Sequence, residues 1–321
     1  MSDSSTPLLA LMDLGTNTFH LLIFDASGRD IHRRSHPVKM GEGGISRGQI
    51  APAAQERILA AFALFSQDLA QYRVPATSVQ AVATSAFRAA DNATAVCEAI
   101  RQQSGIEIQI IDGQEEAALI AAGVQQAVPM DERPALICDI GGGSIEFILC
   151  DASQTYWQGS FEIGAQRMLD KFMPGTTLLP EALAQLWAWL DAQLPDLYQA
   201  CAEQAPQRFI GAAGAFETLV LMHECRQRQA ATFRFPENQT HFVVDAAGFE
   251  AVYEDLIFSE ESVRQALPGL AGFRAQMMVP ATALMQWVRL RFGLPVVEVS
   301  TYTLQQGLKQ SLLRRGTYQR S

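Results

Sequence analysis

The 321 residues carry 48% hydrophobic and 18% charged side chains and a net charge of -10, enough apolar mass for one large core or two medium ones and, by length, about two domains. No run approaches the roughly 18 uninterrupted apolar residues a membrane helix needs, and the start Met1–Pro7 lacks the basic residues of a signal peptide, so a cytoplasmic protein without membrane contact is expected. The acidic balance excludes broad binding of nucleic acid, and Cys97, Cys138, Cys150, Cys201 and Cys225, with no CxxC pair, read as buried free thiols.

The first predicted element is a hairpin. Leu9–Leu14 is a buried strand ending beside Asp13, Gly15-Thr-Asn-Thr18 is a tight turn, and Phe19–Phe24 returns to an Asp25-Ala-Ser27 turn. A helix follows at Pro52–Tyr72, where Ile58, Leu59, Phe62, Phe65 and Leu69 share one face and Pro52 suits the first turn. Next come a strand at Val79–Thr84, a helix at Asp91–Ser104 ended by Gly105, a strand with Ile106, Ile108 and Ile110 alternating, and a helix from about Gln114. A second hairpin runs from Ala135 through Gly141-Gly-Gly-Ser144 to Asp151-Ala-Ser153. Beyond it we expect a helix at Pro180–Leu194, a strand at Arg208–Gly211, a helix at Ala215–Arg226, a loop over 227–242, a helix at Arg274–Arg291, a strand at Pro295–Val299 and a closing helix at Leu304–Leu313.

The two hairpins align without a gap at a constant offset of 126, Asp139 on Asp13, Gly141 on Gly15 and Asp151 on Asp25. A duplicated α/β lobe explains this most simply, and two such lobes facing each other make a cleft. We place one lobe at residues 1–124 with about 303–321, holding the first turn, and the other at residues 125–302, holding the second.

Glycine-rich turns let backbone N–H groups approach a phosphate, because no Cβ stands in the way. Gly15, Thr16, Asn17 and Thr18 in one turn, and Gly141, Gly142, Gly143 and Ser144 in the other, are therefore candidate phosphate-binding residues, with Thr18 and Ser144 offering hydroxyls. Asp13 and Asp139 end strands beside these turns, and Glu146 stands where the first hairpin has His20. Carboxylates so placed repel a phosphate unless a hard cation lies between, which makes Asp139, Glu146 and Asp13 candidate Mg²⁺ ligands. The adjacent acids Glu115 and Glu116 open a helix; they either favour the helix dipole or supply a base. Arg88 follows a strand and either grips a phosphate or lies on the surface.

Met12-Asp-Leu-Gly-Thr-Asn-Thr-Phe-His20, Ala81-Val-Ala-Thr-Ser-Ala-Phe-Arg88 with Asn92, Asp112-Gly-Gln-Glu-Glu-Ala117 with Leu119, Ile120 and Gly123, and Asp139-Ile-Gly-Gly-Gly-Ser-Ile-Glu146 together resemble the exopolyphosphatase and guanosine pentaphosphate phosphohydrolase (Ppx/GppA) family. That family lies within the actin, sugar kinase and Hsp70 superfamily. The resemblance implies two duplicated actin-like (ribonuclease H-like) lobes, Glu116 as general base, Arg88 on substrate phosphate, both glycine turns on phosphates, and Mg²⁺ at Asp139 and Glu146. It implies release of terminal phosphate from polyphosphate or conversion of pppGpp to ppGpp, with polyphosphate or a guanosine penta- or tetraphosphate as ligand, and it points to a homodimer. An ATP-dependent kinase or ATPase of the same superfamily, or a non-catalytic polyphosphate or ppGpp sensor, shares the hairpins.

Two departures accompany it. Gly211-Ala-Ala-Gly-Ala-Phe-Glu217 replaces a third loop resembling GTGGT and loses its threonine hydroxyls. The chain ends at Ser321, short of the helical C-terminal domains of longer members, so short polyphosphates or small phosphorylated molecules are the expected substrates.

Overall fold

The computed structural model describes residues 8–41 and 48–318; the polar start Met1–Pro7 and the last residues assigned to the first lobe lie outside them. The chain packs as two units, one running to Leu119 and resuming at Leu304, the other Ile120–Thr303.

In the first unit, β1 (Leu8–Leu14), β2 (Thr18–Asp25) and β3 (Asp30–Pro37) form an antiparallel meander. Helix α1 (Pro52–Gln71) begins with its proline in the first turn, where no intrahelical N–H is lost. It buries Ile58, Phe62, Phe65 and Leu69, and Phe62 meets Phe19 of β2 edge to face at 6.1 Å, each such buried side chain contributing about 1.5–3 kcal/mol. β4 (Val79–Ala83) then runs parallel to β1, followed by the short helix α2 (Ser85–Arg88), by α3 (Ala93–Ser104), closed by left-handed Gly105, and by β5 (Ile108–Ile110) parallel to β4. The sheet order is β3-β2-β1-β4-β5. Helix α4 (Gly113–Ala127) carries the chain into the second unit.

The second unit opens with the antiparallel meander β6 (Ala135–Ile140), β7 (Ile145–Cys150) and β8 (Thr155–Phe161). Helices α5 (Ala165–Phe172), α6 (Pro180–Gln193) and α7 (Pro195–Gln204) follow, then β9 (Arg208–Ala212) and α8 (Ala213–Arg228). β10 (His241–Val244), α9 (Ala246–Ile257), the short α10 (Glu261–Arg264), α11 (Met278–Phe292) and β11 (Val297–Ser300) complete it. Helix α12 (Leu304–Tyr318) returns to the first unit. The second sheet is ordered β10-β11-β9-β6-β7-β8, with β9 and β11 parallel to β6. Read from β8, it repeats the order and sense of the first sheet and adds β10 as an antiparallel edge.

Three expectations shift. The loop expected over 227–242 ends in edge strand β10. The helix expected from Arg274 starts at Met278, because Gly272–Arg274 is a 3₁₀ turn whose arginine donates to the Gly214 carbonyl and meets the Thr218 hydroxyl, each at 2.8 Å. Third, β3, an edge strand of sequence DIHRRSHP without apolar alternation, has no counterpart among the expected elements, and neither do β8, α5, α7 and α9. Among the described residues no helix is long and apolar enough to cross a membrane.

Candidate active site

In both hairpins the turn is held from behind by backbone N–H groups, joined in the second by one arginine side chain. Val38 N–H donates to the Asn17 carbonyl at 2.9 Å and Met40 N–H to the Thr16 carbonyl at 2.8 Å. In the second unit Gly164 N–H donates to the Gly143 carbonyl at 3.0 Å and Gln166 N–H to the Gly142 carbonyl at 2.9 Å. Each residue of the second set is the first plus 126 (38 to 164, 17 to 143, 40 to 166, 16 to 142). Ala165 N–H takes the Gly141 carbonyl at 2.9 Å, and Arg167 Nε takes the Gly143 carbonyl at 2.9 Å.

A trans peptide directs its N–H opposite to its carbonyl, and no cis bond occurs among the described residues. With their carbonyls turned to these straps, the peptides present the N–H groups of Asn17 and Thr18, and of Gly142, Gly143 and Ser144, on the other side. Such an array suits an anion. Gly164 is obligatory for the approach: a Cβ there would lie 2.4 Å from the Gly143 carbonyl carbon and 2.5 Å from that of Gly142.

Cross-strand pairing places Val82, Asp13, His20 and Ser35 in one row across the first sheet. In the second, Ala212, Asp139, Glu146 and Ser160 form the same row, and directly opposed residues share a face. His20 Nδ1 lies 2.8 Å from Ser35 Oγ. Asp139 and Glu146 are 7% and 1% exposed, and Glu146 Oε1 accepts from Ser144 Oγ and Ser160 Oγ, both at 2.7 Å. The Ser144 hydroxyl is thus turned to Glu146, and what the residue presents outward is its amide.

The first unit brings together Arg88, Glu116 and Asp13. Arg88 Nη1 donates to Glu116 Oε2 at 2.8 Å and to the Ile111 carbonyl at 3.1 Å. Glu116 is buried, whereas Glu115 is exposed, because successive helical residues point about 100° apart. The Asp112 carboxylate caps the helix start, accepting from Gln114 and Glu115 N–H at 2.9 and 2.8 Å. Burial, and next the charge of Glu116, push the Asp13 carboxyl up to about 7, against the opposing hydrogen bond from Gln305 of α12. Gly307, one half-turn on, lets α12 reach α4: a Cβ there would stand 1.9 Å from the Leu119 carbonyl oxygen.

Among the described residues no group of three or more His, Cys, Asp or Glu is placed to hold a metal ion. The pair Asp139 and Glu146 nevertheless fits Mg²⁺, which uses one or two carboxylates and completes its shell with water and substrate phosphate. Both are buried hard-oxygen donors on one face, beside the Gly141–Ser144 turn. Asp13 belongs to the other unit.

In the third loop an alanine occupies a backbone conformation suited to the glycine of the GTGGT pattern. Ala213 holds φ 68, a left-handed conformation that favours glycine. Phe216, fully buried, packs on Gly211 so closely that a Cβ there would fall 1.9 Å from the ring.

Residues not singled out from sequence also take part: the straps at Val38–Met40 and Gly164–Gln166, Ser35, Ser160 and Gln305. The straps act through backbone, so their side chains, Val-Lys-Met against Gly-Ala-Gln, share no pattern. The constant offset of 126, followed beyond the hairpins, was the signal that could have found them.

The mixed α/β fold, with its five-stranded and six-stranded sheets, is consistent with the actin-like superfamily. The Ppx/GppA phosphatase family model matches residues 23–315, and the chain belongs to that family. It is 24% identical over 310 residues to exopolyphosphatase 1 of Mycobacterium tuberculosis, covering 94% of this chain and 86% of that one. The fold is similar to that of an exopolyphosphatase from Cytophaga hutchinsonii, at a TM-score of 0.90 and 34% identity over 96% of this chain and 98% of the other. It is also similar to the Aquifex aeolicus Ppx/GppA family member, at a TM-score of 0.75 and 19% identity over 96% and 98% of the two chains.

Proposed function

We propose that this protein is a phosphohydrolase that removes the terminal phosphate of inorganic polyphosphate, hydrolyses pppGpp to ppGpp, or does both. The observation that carries this reading is the twofold use of one backbone device, a turn whose carbonyls are taken up by straps, leaving its amides for an anion. The likeness to the Cytophaga exopolyphosphatase at 34% identity supports it, as does the family itself.

In this reading the two units are copies of one ancestral lobe, and each carries one phosphate-binding turn. The amides of Asn17 and Thr18 in the first unit, and those of Gly142 to Ser144 in the second, each take phosphate oxygens, replacing lost hydration with fixed dipoles. Glu116 takes a proton from water as its oxygen attacks the terminal phosphorus and the bridging P–O bond breaks toward the departing chain. Arg88 fixes the carboxylate by hydrogen bonding and stands beside the transferring group. Asp139 and Glu146 would hold Mg²⁺, which would supply positive charge to offset that developing on phosphate oxygens. This route needs no covalent enzyme intermediate.

Substrate choice follows from a panel of short polyphosphate, long polyphosphate, pppGpp and ATP, each with Mg²⁺ and with free phosphate measured. Release from polyphosphate or pppGpp but not ATP is expected. Turnover of ATP alone, or binding of every substrate without release, contradicts the reading.

A further inference from the structure

Glu146 is held by two hydroxyls on one oxygen. Ser144 Oγ, two residues earlier in the chain, and Ser160 Oγ, from the neighbouring strand β8, both lie 2.7 Å from Oε1, and the carboxylate is 1% exposed. A glutamate's terminal torsion is broad and roughly twofold, so one donor leaves the carboxylate free to rock about it. Donors to Oε1 from two directions, the turn and strand β8, fix the plane of the carboxylate.

The first sheet repeats the arrangement with different chemistry. Ser35 is the cross-strand neighbour of His20, as Ser160 is of Glu146, and its hydroxyl lies 2.8 Å from His20 Nδ1. The third strand of each sheet thus supplies a serine to the residue opposite the strand-end aspartate. The contact survives although β3 and β8 have unrelated sequences, DIHRRSHP and TYWQGSF.

From this geometry we infer that Ser160 is a positioning residue for the metal ligand Glu146, orienting its carboxylate so that divalent-cation binding depends on the Ser160 hydroxyl. The inference rests on the reading of Asp139 and Glu146 as the Mg²⁺ ligands. Outer hydrogen bonds of this kind typically change metal affinity 10–100-fold.

The test is Mn²⁺ uptake by the full chain, followed by electron paramagnetic resonance and calorimetry, alone and with the non-hydrolysable diphosphate analogue imidodiphosphate. Ser160→Ala should bind Mn²⁺ about 10–100-fold more weakly while keeping its circular dichroism. Ser160→Thr, which keeps the hydroxyl, should restore most of the affinity, and Glu146→Gln should lose it. Wild-type affinity in Ser160→Ala beside a defective Glu146→Gln overturns the role of Ser160 and leaves the metal site standing. Equal losses in Ser160→Ala and Ser160→Thr also overturn it, because packing rather than the hydroxyl would be responsible. Undiminished uptake by Glu146→Gln, or no uptake by the wild type under either condition, removes the metal reading and the inference together.

Discussion

Arg88 Nη1 donates to Glu116 Oε2 over 2.8 Å and, from the same nitrogen, to the Ile111 carbonyl at 3.1 Å. The pair joins the end of α2 to the start of α4 and leaves Glu116 only 6% exposed. Removing Arg88 therefore takes a charge-assisted hydrogen bond from a buried carboxylate, a loss on the order of 1.5–3 kcal/mol. Arg88→Ala should lower the melting temperature as well as phosphate release, and Arg88→Lys, with no planar fork, should recover only part of both. An unchanged melting temperature in Arg88→Ala contradicts the role of the ion pair.

Gly164 offers a test of the second turn that leaves every candidate side chain in place. A Cβ would stand 2.4–2.5 Å from the backbone of Gly142 and Gly143, and backbone cannot swing aside as a side chain can. Gly164→Ala should cost about 1–3 kcal/mol, as overpacking does, and weaken imidodiphosphate binding measured by calorimetry. Gly175→Ala, with nothing within 4 Å of its new Cβ, serves as the control. Normal ligand affinity in Gly164→Ala argues against the turn as an anion cradle.

Ala213 sits at φ 68, where an L-residue pays roughly 1–2 kcal/mol of strain. Glycine relieves the strain but frees the unfolded chain by about 0.4–1 kcal/mol. The midpoints of these ranges predict that Ala213→Gly stabilises the protein by about 0.8 kcal/mol, seen as a higher midpoint of urea unfolding. A lower midpoint overturns the assignment of strain to this residue.

Asp13 predicts a pH dependence of definite sign. Burial first, and Glu116 second, raise its carboxyl from the ordinary 3.8 to about 7, so the folded protein keeps a proton that the unfolded chain has already released. Stability from this group is complete below the ordinary value and is lost as pH rises through about 7. In metal-free protein Asp13→Asn should flatten the fall of melting temperature across that window. Parallel curves for variant and wild type contradict it.

The hairpins were legible because an apolar strand, an acid and a glycine turn leave side-chain signatures in order, as Met12–Thr18 and Asp139–Ser144 do. The straps behind them were not, since Val38, Met40, Gly164 and Gln166 contribute N–H groups that every non-proline residue possesses. Ser35 and Ser160 escaped because β3 has exposed positions along its length and β8 has buried Gly159 where a side chain would mark the pattern. Gln305 reaches Asp13 from the far end of the chain, a contact that local periodicity cannot announce. Helix α4 lies between these cases: its acids were visible, but only folding buries Glu116 and exposes Glu115.

Free phosphate released from polyphosphate and from pppGpp by Glu116→Gln, compared with wild type under saturating Mg²⁺, bears most directly on the proposed chemistry. The substitution keeps the shape of the side chain, so folding should persist by circular dichroism while turnover falls about 10²–10⁴-fold, the contribution of a positioned general base. A folded Glu116→Gln protein that releases phosphate at the wild-type rate would contradict the proposed hydrolysis.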